Sequence, residues 1–197
     1  MAFSVQEFRS TLQYDGARPN LFQVSMTFPT ITTTSAILTG QASGVGASQK
    51  FTFLCKTAQL PGSTVNMVPV FYFGRQLSFA GNRTFPEWTV TIINDEDFVI
   101  RNAFEKWLNG LNSHAGNRRD PAFANAGGYQ VDGFVTQYNK EGIPSEGIKK
   151  YRFVGMFPVD ISPIDLDWGA NDTIEEYAVT FAYQWWESDT TDSSATV

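Results

Sequence analysis

Few residues in this chain could do covalent chemistry. His114 is the one histidine and Cys55 the one cysteine among 197 residues. A Ser-His-Asp or Cys-His relay needs an imidazole beside its nucleophile, so it would have to use His114, which sits in a polar loop. Zinc would have to combine His114 and Cys55 with carboxylates at no ligand-like spacing. Gly44-Val45-Gly46 lacks the lysine and the helix of a phosphate loop. Asp165, Asp167, Gly169, Asn171 and Glu176 come nearest to a metal motif, with Glu176 at the twelfth place of a calcium loop. Its sixth place is Ala170 where the sharp turn wants glycine, and Pro158 and Pro163 bar an entering helix. This set reads as a solvated acidic turn. The pair Asp165/Asp167 alone is a weak basis for glycosidase chemistry. Asn82-Arg83-Thr84 and Asn171-Asp172-Thr173 match glycosylation acceptors, but no secretory signal accompanies them. The expectation is no catalytic, cofactor-binding or metal-binding residue.

Composition narrows the class. A formal net charge of −6 argues against tight binding to DNA phosphates, which requires clustered Lys and Arg. No apolar run approaches the roughly 20 residues of a membrane helix, so no membrane anchor is expected. A lone cysteine excludes an intramolecular disulfide and suits a reducing cytosol. Aromatics make up 15%, including 17 Phe, which suggests large buried strand surfaces shared between chains. A chain of this length reads as one domain, assigned to residues 1–187, with 188–197 a flexible tail.

The elements follow from periodicity. Residues 81–97 anchor the reading: Gly81-Asn82 as a turn, then Trp88, Val90 and Ile92 alternating with Thr89, Thr91 and Ile93 as a strand. Asp95, Glu96 and Asp97 stand where a helix starts and carboxylates meet free N–H groups. That helix is predicted over 97–109, with an apolar stripe of Phe104, Trp107, Leu108 and Leu111 and a stop at Gly110. Ser4 to Glu7 form a capping box for a short helix over 5–13. Strands are predicted at 21–28, 51–59, 131–139, 149–157 and 176–185, with Phe51, Phe53 and Cys55 sharing a face. In the fourth of these, Tyr151, Phe153 and Phe157 oppose Val154 and Met156. Long polar loops are expected at 29–50 and 112–130. About seven consecutive strands and one substantial helix predict a mainly β fold, an antiparallel sandwich or barrel with a flanking helix.

Residues 65–79 stand apart. Val68-Pro69-Val70-Phe71-Tyr72-Phe73 puts large apolar groups on both faces of a strand, so it is either covered twice within one chain or meets another chain. Pro69 confines it to an edge or a bulge.

Several stretches also carry a resemblance. They are Ala17-Arg18-Pro19-Asn20-Leu21-Phe22-Gln23-Val24, Phe51 to Gly62, Ala80-Gly81-Asn82-Arg83-Thr84-Phe85 with Trp88-Thr89-Val90-Thr91, Leu166-Asp167-Trp168, and Ala182-Tyr183-Gln184-Trp185-Trp186-Glu187. In this order they resemble the tail tube proteins of contractile-tailed bacteriophages. The resemblance implies a structural virion protein without cofactors, made in the bacterial host cytoplasm. Hexameric rings of it would stack into a hollow tube through which DNA passes unbound. It implies as partners other copies of the chain, the sheath protein, the baseplate initiator, the tail terminator and the tape measure protein. Val65, Met67, Val70, Phe71, Tyr72 and Phe73 would then be subunit and ring-stacking contacts. Two alternatives are a tube initiator or tube of a phage-derived injection system, and, from another class, a monomeric carbohydrate-binding sandwich.

Overall fold

A computed structural model describes residues 4–12, 16–29, 45–140 and 147–191. Most of the 29–50 loop, the middle of the 140–147 connection and residues 192–197 lie outside these. Helix α1 (Val5–Thr11) is capped as its sequence predicts, the Ser4 hydroxyl accepting from the Glu7 N–H at 3.2 Å, and it buries none of its residues. Strand β1 is Phe22–Met26, with Val24 and Met26 turned inward.

The next element corrects the reading. Residues 51–59 are not one strand: helix α2 spans Val45–Leu54 and only Cys55–Thr57 forms strand β2. Ala47 and Phe51, four apart, are buried, while Phe53 points to solvent. A short apolar run satisfies either period, and here packing against the Phe28 ring selects the helical one.

Strands β3 (Thr64–Tyr72) and β4 (Arg75–Thr84) form a separate two-stranded sheet. Gly81-Asn82 is therefore no turn but lies inside β4. The register slips there, so that Gly81 and Asn82 both face the single residue Asn66 as a bulge. Gly81 is required by close approach: a Cβ would lie 2.8 Å from the Asn66 carbonyl oxygen.

Strand β5 (Trp88–Ile93) alternates as expected, burying Trp88, Val90 and Ile92. Helix α3 runs Val99–Leu111, two residues later than predicted at each end. Phe98 takes a left-handed conformation before it, and the Asp97 carboxylate reaches forward to accept from the Val99 N–H. Gly110 does not stop the helix; it lies inside it because the Phe123 ring occupies the space of a side chain, 2.6 Å from an added Cβ. The predicted 112–130 loop contains a 3-10 turn (Pro121–Phe123) and helix α4 (Ala126–Tyr129).

Strands β6 (Val131–Gln137), β7 (Lys149–Ile161), β8 (Glu176–Ala182) and β9 (Trp185–Ser188) complete the fold. The main sheet has seven strands, all antiparallel, in the order β1-β6-β7-β8-β5-β2 with β9 also on β7. The fold is mainly β and barrel-like. Strand β7 bends at Gly155, whose φ is +63°. Its first half pairs with β6 and β9 and its second half with β8. That bend splits the predicted 176–185 strand at Tyr183-Gln184 and turns Met156 into the core, against the alternation expected for it. Ser188, expected in the tail, is buried in β9 together with Glu187. Within the core the rings form a chain: Phe28 on Phe104 at 4.9 Å, Phe104 on Phe181 at 5.7 Å and Phe181 on Trp88 at 5.8 Å.

Candidate functional site

The residues that could do chemistry are scattered. His114 is exposed, and its backbone N–H donates to the Asn109 side-chain oxygen. Cys55 is half-buried at the start of β2, and burial pushes its thiol up to about 12. Asp167 closes its own turn by accepting from the Gly169 N–H at 2.9 Å. Glu176 pairs with Lys56 at 2.5 Å. Among the described residues, no group of three or more His, Cys, Asp and Glu is placed to hold a metal ion.

The unusual surface is the β3–β4 hairpin. Every residue of β3 is exposed, and so is every residue of β4 except Gly81. Cross-strand partners share a face, so Val68, Val70, Tyr72, Leu77 and Phe79 line one side, and Val65, Met67, Pro69, Phe71 and Ala80 the other. Met67 is 75% exposed and Phe71 71%. The turn consists of Phe73 and Gly74, with φ of 45° and 77°, the two positive angles of a type I′ hairpin. Asn or Gly normally fills its first place, yet here a phenylalanine does, 91% exposed and edge-on to Tyr72 with centroids 4.4 Å apart. A two-stranded ribbon is marginal in water on its own. This one has solvent over large apolar groups on both sides.

The structure thus gathers Val65, Met67, Val70, Phe71, Tyr72 and Phe73 on one projecting ribbon. Sequence reasoning named Val68 in the double-faced stretch but left it out of the contact residues, and it passed over Leu77 and Phe79. Gly74 was the missed signal: it folds 65–79 back on itself, so that Leu77 and Phe79 extend the apolar face begun by Val68 and Val70.

The family model described as phage tail tube protein matches residues 17–189. The chain belongs to the phage tail tube family. The match takes in the hairpin and all nine strands of the described residues. Tail tube protein gp19 of Enterobacteria phage T4 is 32% identical over 173 residues, which cover 88% of this chain and 92% of that protein. The tail tube protein of Serratia phage KSP90 is 24% identical over 182 residues, covering 91% and 94%. The fold is shared more widely. The tube-terminating cap of the anti-feeding prophage matches with a TM-score of 0.59 at 14% identity, over 90% of this chain and 93% of that one. The sheath–tube complex of the PVC extracellular contractile injection system gives 0.51 at 13%, over 95% and 99%. As a tail tube protein the chain is a structural component of the virion. The carbohydrate-binding alternative has no comparable support.

Proposed function

We propose that copies of this chain close into hexameric rings and stack into the inner tube of a contractile phage tail, with the β3–β4 hairpin bridging copies. The observation that carries the reading is the ribbon with apolar side chains on both faces. A second copy is the occupant that fits, because family membership already makes the chain a component of a repeating tube. Burying Val70, Phe71 and Phe73 would contribute about 5–8 kcal/mol per subunit before association costs, at roughly 25 cal/mol per Å². The edge strands β1 and β2 would likewise be finished by neighbours, leaving no free edge in the ring.

The rest of the proposal follows from the tube. The chain acts by assembly and carries out no catalysis, and its residues through β9 work as one domain. The sheath protein packs outside, the baseplate initiator and tail terminator meet the two ends, and the tape measure protein occupies the lumen. DNA later passes through without specific binding, since an acidic subunit of charge −6 repels phosphate rather than holding it. Negative-stain microscopy of the purified chain tests this: rings or hollow rods are expected, and isolated particles at every concentration would refute it.

A further inference from the structure

At the C-terminal end of α3 an open cleft of about 500 Å³ is lined by Lys106, Asn109, Ser113, Arg118, Arg119 and Asp120, among others. We propose that this cleft is an oxyanion-binding site, built to take a phosphate-like or carboxylate group.

Three cations face one carboxylate there, in a chain whose overall charge is −6. The Lys106 ammonium is buried at its nitrogen and has no hydrogen-bond partner among the described residues. A buried ammonium without a partner is costly, and its field favours an anion seated in the adjacent cleft although the nitrogen itself is closed to solvent. The remaining groups are arranged to donate. Ser113 Oγ accepts from the Arg118 N–H, which leaves the hydroxyl hydrogen for a ligand. Asn109 Oδ1 accepts from the His114 N–H, which leaves its NH₂ group. Asp120 is turned to another task, its Oδ1 accepting from the Ala122 N–H to cap the 3-10 turn. Arg119 lies over the Tyr129 ring at 5.3 Å, a contact that holds a guanidinium in place while its N–H fork stays available. The wall is therefore rich in donors, positive and held by the local fold. Two arginines beside an amine suit the several acceptor oxygens of an oxyanion, which a chloride ion lacks.

The test is thermal denaturation of the purified chain against increasing inorganic phosphate, with sodium chloride at matched ionic strength as the reference. A saturable rise in midpoint with phosphate and none with chloride is expected. Acetate is the second arm: a response to phosphate alone marks the ligand as tetrahedral, and an equal response to acetate marks it as a carboxylate. Lys106→Met keeps the aliphatic stem and removes the unpartnered charge. It should leave the midpoint in chloride unchanged or higher and weaken phosphate binding at least about tenfold. Arg118→Gln, more exposed to solvent, should weaken binding in the same direction and serves if Lys106→Met does not fold. Identical responses to phosphate, acetate and chloride would overturn the proposal, as would wild-type phosphate binding in either variant.

Discussion

Trp88 of β5 and Phe153 of β7 lie nearly face to face, with ring centroids 4.4 Å apart and 30° between their planes. Both are buried, and they join strands that are not neighbours in the main sheet. The Trp88 indole N–H also donates to the Gln59 carbonyl at 2.7 Å, which ties the segment after β2 to the same point. Replacing Trp88 with Ala should cost about 3–5 kcal/mol, as large-to-small changes in cores do. Guanidinium denaturation followed by circular dichroism would measure the loss, and a cost below about 1 kcal/mol would mean that this stack does not hold the core.

Gly110→Ala sets two effects against each other. Alanine is favoured over glycine within a helix by about 1 kcal/mol. The new methyl, however, would sit 2.6 Å from the ring of Phe123, which is buried. Overpacking of this kind costs about 1–3 kcal/mol, so the variant should be net destabilised. A raised denaturation midpoint would show that the 3-10 turn yields.

Lys50 of α2 pairs with Asp95, at 2.7 Å, and with Asp97. The hydrogen bond to Asp95 and then that to Asp97 hold the Lys50 amine above its ordinary value near 10.5, and the bond from Lys50 holds the Asp95 carboxyl below the usual carboxylate range. A depressed carboxylate contributes stability above its unfolded value and loses it as pH falls through the folded one. A raised amine contributes fully below its unfolded value and loses that contribution as pH rises through the folded one. The pair therefore supports the fold between about pH 4 and 10.5. The urea midpoint of the wild type should fall between pH 7 and pH 3 by more than that of Lys50→Met. Equal falls would remove the pair from the acid response.

Gly81→Val should act on assembly more than on folding. The added side chain would meet the Asn66 carbonyl and the Val68 methyl, the latter 3.1 Å from its Cβ, and would force the bulge apart. Because the hairpin lies outside the buried core, the thermal midpoint of the dissociated chain at high dilution should move little, while sedimentation at higher concentration shows fewer assembled particles. A midpoint lowered as far as in Trp88→Ala would place the hairpin within the cooperative fold.

How far the sequence could be read depended on whether one period dominated. Residues 88–92 alternate apolar with polar, and β5 is where they predict it. The apolar stripe of Phe104 and Trp107 gave α3, though Gly110 misled about its end, because the partner that needs that glycine, Phe123, is distant in sequence. Phe51-Thr52-Phe53-Leu54 is too short to separate strand from helix, and Phe28, from another element, decided it. The bend at Gly155 was hidden because a glycine in a strand does not announce its φ. The ribbon was half legible: Val68 to Phe73 showed two apolar faces, but a Phe-Gly turn is a weaker signal than Asn-Gly, so its returning strand and Leu77 and Phe79 were missed.

The most direct measurement is electron microscopy of the Phe71→Ser, Phe73→Ser double variant beside the wild type, with a thermal melt of each. Both side chains are exposed in the isolated chain, so melts taken at a dilution where neither protein assembles should agree to within about 0.5 kcal/mol, as surface changes usually do. Wild-type protein should form rings or hollow rods and the variant only single particles. Rods of normal length from the variant would contradict the claim that this ribbon joins the copies.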